Sequence, residues 1–132
     1  MHWNLGGWLG GQLGGSAWML VASLLSFHSD AATAVTVLAF FAIVNFVGAA
    51  LWRWRHRLSP YVAVQILLPA LGAFSFATVF VLDRAGIYEA IQIGGKVPAS
   101  SSYVLILAIV IALMVVFYFR FGRRSKSSDE TA

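Results

Sequence analysis

Four apolar stretches alternate with short polar breaks along the chain. They run from about Leu5 to Phe27, Ala31 to Trp52, Tyr61 to Leu82 and Tyr103 to Phe119. The breaks are FHSD (Phe27 to Asp30), RWRHR (Arg53 to Arg57), the longer Asp83–Ser102 stretch, and the terminal RFGRRSKSSDETA. Crossing the hydrocarbon of a bilayer takes about 20 mostly apolar residues, so each stretch predicts one span. The spans are expected to be helices, because an isolated strand leaves its backbone groups unpaired in lipid. The expected fold is therefore an all-α integral membrane protein, a bundle of four transmembrane helices. It occupies residues 1–124 as one domain, followed by a disordered cytoplasmic tail over 125–132. The first stretch has no basic leader and no small-x-small cleavage site, and is expected to stay as a span rather than act as a signal peptide.

Composition agrees with this class. The 132 residues are 60% hydrophobic and only 11% charged, against about 25% charged in a typical soluble domain. The net charge of +4 sits beside apolar spans. That placement reads as membrane orientation rather than as a surface for nucleic acid. With four spans, seven of the basic residues (Arg53, Arg55, Arg57, Arg120, Arg123, Arg124 and Lys126) share a side with both termini, and only Arg84 and Lys96 lie opposite. The positive-inside rule then predicts cytoplasmic N and C termini. In the outer loop, RAGIYEAIQI (Arg84 to Ile93) carries Ile87, Ala90 and Ile91 on one helical face, which suggests a short interfacial helix between helices 3 and 4. The expected location is the cell membrane, with the short loops suggesting a bacterial inner membrane.

Within the first span stands GGWLGGQLGG, Gly6 to Gly15. At 100° per residue Gly6, Gly10 and Gly14 form one row and Gly7, Gly11 and Gly15 the next, together covering about half the helix. Glycine costs about 1 kcal/mol against alanine in an aqueous helix. In lipid the alternative to the helix is unpaired amides, so most of that cost disappears and the close approach of a second backbone remains. The paired rows resemble the glycine-zipper pattern of several homo-oligomeric channels, a likeness of packing mode confined to about ten residues. Trp18 lies over the same face, one turn past Gly14. The face is expected to pack either within the chain or between copies.

Three amides fall inside spans. From the helical rise, Gln12 lies roughly 9–10 Å, Asn45 about 10 Å and Gln65 about 6 Å from the inner ends of their helices. Gln65 continues at helical spacing into Pro69, Gly72, Ser75 and Thr78. Pro69 frees a carbonyl one turn earlier and predicts a kink. Gln12, Asn45 and Gln65, with Ser75 and Thr78, are candidates for lining a pore or ligand site; the plainer role for such amides is hydrogen bonding between helices. Arg53, Arg55 and Arg57 in WRWRHR are candidates for contact with anionic lipid, or serve as a stop-transfer signal. The fourth span has no polar residue apart from its terminal tyrosines and is expected to face lipid, with Ala108 and Ala112 as a modest packing site.

Candidate chemistry is sparse. The five acids (Asp30, Asp83, Glu89, Asp129 and Glu130) and the three histidines (His2, His28 and His56) all lie outside the spans, and there is no cysteine. Metal, haem, nucleotide and triad motifs are not seen, so neither an enzyme nor a cofactor or metal site is expected. The first expectation is a small homo-oligomeric channel or passive transporter assembled through the glycine rows. The alternative is a non-transporting accessory subunit docking on a larger membrane protein, and the third is a lipid-binding protein.

Overall fold

The computed structural model describes residues 2–88 and 98–122. It is helical throughout: α1 (Leu5–Ser26), α2 (Ala31–Arg53), α3 (Pro60–Arg84) and α4 (Ala99–Phe117), the last continuing into a wider π turn over Tyr118–Gly122. The starts follow from local chemistry. Side chains of Asn4, Asp30 and Ser59 accept from the backbone N–H groups of Gly7, Ala32 and Val62, satisfying donors that a helix start leaves orphaned. Pro60 occupies the first position of α3, where its missing N–H costs nothing. The Thr33 hydroxyl donates to Asp30 Oδ2 at 2.6 Å and, with the backbone N–H groups there, holds that carboxyl below its ordinary range.

The end of α3 bears on the first residues of the expected interfacial helix, 84–88. The chain does not run on from Arg84 as an interfacial helix. It turns at Gly86, whose φ of 74° suits a residue without Cβ. The Gly86 N–H returns to the Asp83 carbonyl and the Ile87 N–H to that of Leu82, each bond being 3.0–3.1 Å. This Schellman turn drops Ile87 into a buried cluster with Leu82, Met19, Ala22 and Val37. Tyr88 hydroxyl bonds Ser102 Oγ and ties the turn to the start of α4. The rest of the expected interfacial helix, 89–93, and the expected 125–132 tail lie outside the described residues.

Three helical stretches, Ala31–Arg53, Pro60–Arg84 and Ala99–Gly122, are long and apolar enough to cross a membrane, as in a multi-pass membrane protein. α1 has comparable length, 22 residues, but its glycines, Gln12 and serines dilute its hydropathy. Packing follows chain order. The most extensive contact is α1 on α2, then α4 on α3 and α2 on α3, with α1 touching α3 lightly. A second cluster, Trp8, Leu51, Ala63 and Leu67 with Trp3 and Trp52 against it, fills the end that carries the Arg53–Arg57 turn. α3 is helical through Pro69 without interruption. α4 buries only Ser102 of its own residues. Ala108 and Ala112 are exposed, and α4 instead approaches α3 at Gly72, where an added Cβ would lie 2.7 Å from Val110.

Candidate functional site

Trp8, Gln12, Ser16, Met19 and Ser23 of α1 are buried and meet α2. They recur every three or four positions, so they lie along one stripe of the helix. The stripe is largely polar, and its partners run antiparallel down α2. Trp8 Nε1 donates to the Gly48 carbonyl at 3.1 Å. Gln12 Nε2 donates to both the backbone carbonyl and Oδ1 of Asn45, at 2.9 and 3.0 Å. Asn45 Nδ2 donates to Ser16 Oγ at 3.0 Å and to the Phe41 carbonyl of its own helix at 2.8 Å. Ser16 Oγ donates in turn to the Gln12 carbonyl at 2.8 Å. Nearer the far end, Ser23 Oγ donates to the Ala34 carbonyl at 2.7 Å. A hydrogen-bonded clasp thus runs between the two helices.

Gly48 makes the clasp possible. A Cβ there would collide with the Gln12 carboxamide, so only glycine leaves room for the amide to reach Asn45. Gln12 is 4% exposed, and its Oε1 has no hydrogen-bond partner among the described residues. The oxygen rests against Gly48, where a weak Cα–H contact is what the backbone offers.

The predicted site residues are divided among several places. Gln12 and Asn45 meet each other. Gln65 turns to the other side of the bundle and donates from Nε2 to the Met114 carbonyl of α4 at 3.0 Å. Thr78 is buried and bonds the Phe74 carbonyl of its own helix, and Ser75 is buried on the same helix. Within one chain these five do not converge on a common lining. Trp18 is partly exposed beyond the glycines.

All six zipper glycines are exposed in the single chain. A Cβ on Gly10, Gly11 or Gly14 would meet nothing within 4 Å, whereas one on Gly15 would lie 3.1 Å from Leu71 of α3. The two rows face different surroundings. Gly7, Gly11 and Gly15 form one wall of an apolar groove of about 400 Å³ between α1, α3 and the end of α4. Gly6, Gly10 and Gly14 are not part of it.

At the arginine-bearing end, aromatic rings pin the N-terminal residues to the α2–α3 turn. Trp3 Nε1 donates to the Leu58 carbonyl at 3.2 Å. Its ring meets those of Trp8 and Trp52 at centroid distances of 5.1 and 5.5 Å. The Arg55 guanidinium lies over Trp52, 4.9 Å from the ring centroid. Arg53 and Arg57 are exposed.

Sequence reasoning missed Trp8, Gly48 and the serines of the clasp. The signal was present: Gln12, Ser16, Ser23 and Ser26 share a helical stripe, and Gly48 stands one turn after Asn45 on the same face of α2. Comparison with known proteins finds no matching family model, no similar curated protein and no similar solved structure, so function is read from the geometry alone.

Proposed function

We propose that the chain is a four-span membrane subunit whose role is assembly within the bilayer, with the Gly6–Gly10–Gly14 row receiving the same row of a second copy. The observation that carries this reading is the open space over Gly10 and Gly14 on a helix already anchored along another side. Lipid tails are as apolar as leucine, so association in a membrane relies on close backbone packing and hydrogen bonds. A bare row two turns long supplies the first, and an isologous contact between identical rows is the simplest way to close it. α1 is read as a span because its partners follow it down α2 from Gly48 to Ala34. The excess of arginine at one end then orients both termini toward the cytoplasm. Gln12, Asn45 and Gln65 are engaged in contacts between helices of one chain, which supports an assembly role over a solute pathway lined by these amides.

The test is Gly10→Leu, with the size of the complex read by crosslinking in native membranes. A Cβ added at Gly10 meets nothing within 4 Å in its own chain, so the fold is expected to survive while the complex dissociates. An unchanged complex contradicts the proposed contact.

A further inference from the structure

We infer that the groove between α1, α3 and α4 is a seat for one anionic phospholipid, with an acyl chain along the glycine wall and the headgroup among the arginines at its mouth. The groove's size, about 400 Å³, is within the range of sites that hold small molecules. Its wall from Gly7 to Gly15 extends about 12 Å along the helix axis. Facing that wall are Leu67 and Leu71 of α3 and Leu113 and Phe117 of α4, an apolar lining suited to a hydrocarbon chain.

The mouth has a different character. Its rim includes His2, Trp3, Asn4 and Pro60. Pro60 follows Arg57 by three residues, and Phe117 precedes Arg120 by three. Trp3 links the rim to Arg55 through Trp52. The acids among the described residues, Asp30 and Asp83, lie at the other end of the helices. An oily channel whose mouth lies at the same end of the bundle as Arg53, Arg55, Arg57 and Arg120, with no carboxylate at that end among the described residues, is complementary to a phosphodiester carrying a fatty tail. A zwitterionic lipid offers the same tail and less net charge. Lone inorganic phosphate offers the charge and leaves the groove empty.

The experiment is native mass spectrometry of the full chain from mild detergent, with dioleoyl phosphatidylglycerol, dioleoyl phosphatidylcholine or glycerol 3-phosphate added separately. One phosphatidylglycerol is expected to be retained in preference to phosphatidylcholine, and glycerol 3-phosphate is expected not to be retained. Arg55→Gln and Arg57→Gln are each expected to weaken phosphatidylglycerol retention about fivefold, the value of one basic residue at a membrane surface, and to leave phosphatidylcholine unaffected. Gly11→Leu has open space for its Cβ and extends its side chain into the groove, and is expected to abolish retention of both lipids. Gly10→Leu, outside the groove, is expected to retain lipid whatever it does to the oligomer, which separates this inference from the assembly reading. Equal retention of the two lipids, or binding of glycerol 3-phosphate as tight as that of the lipid, overturns it. So does a Gly11→Leu variant that keeps its lipid but changes oligomer size, since the groove then holds a helix.

Discussion

α1 and α4 invert the habits of soluble proteins. α4 lies in the most apolar of the span-length stretches, with a mean hydropathy of 2.8, yet buries only Ser102. α1 falls short on hydropathy and buries seven residues, four of which are Gln12 and serines. In water the oily helix is the one hidden. In a bilayer the solvent is itself oily, so hydropathy measures fitness for lipid, and burial goes to the groups that can hydrogen-bond or approach closely. α4 is held by Gln65 and by the narrow gap at Gly72. α1 is held by a continuous polar clasp.

Gly48→Leu strains that contrast most severely. Its side chain must occupy the space of the Gln12 carboxamide. Overpacking alone costs about 1–3 kcal/mol, and the clasp is lost besides. Unfolding in mixed micelles titrated with SDS should show a destabilisation larger than any from truncation at Gln12, Gln65 or Leu105. Gln12→Leu comes next. It removes two hydrogen bonds to Asn45, each worth about 0.6 kcal/mol in membrane proteins, so a loss of about 1 kcal/mol is expected in the same titration. Gln65→Leu removes a single bond to α4 and should cost about half as much. Equal losses at positions 12 and 65 would show that the two helix pairs are held alike. At the small end, Leu105→Ala on α4 exchanges one lipid-facing side chain, 57% exposed, for another. Its effect should stay within about 0.5 kcal/mol; a larger loss would mean that α4 is covered by protein.

Much of the fold was legible because length and hydropathy are properties of single segments. The four helices and the exposure of α4 need no knowledge of neighbours. The partners do. The helical rise puts Asn45 at a depth close to that of Gln12, but its choice of Gln12 rather than Gln65 depends on rotation of each helix about its axis. That rotation is set by Gly48 and Ser16, residues a hydropathy scale treats as nearly neutral. The glycine rows illustrate the limit from the other direction. Their geometry on the helix was readable from spacing, but not that one row would border a groove and the other stand clear of it. Gly86 likewise decided the end of α3 through one positive φ, against an apolar periodicity that favoured more helix.

The fold and its proposed role both require that α1 meet α2 through its polar stripe and turn its glycine side away. The chain has no cysteine, so introduced pairs report without background. Oxidative crosslinking in native membranes, with Ala34→Cys on α2 and one of two partners on α1, reads this directly. Ser23→Cys lies on the stripe and Val21→Cys continues the Gly6–Gly10–Gly14 side. A rapid intrachain disulfide is expected from position 23 and none from position 21. A disulfide that forms from position 21 and not from position 23 would contradict this arrangement of the helices.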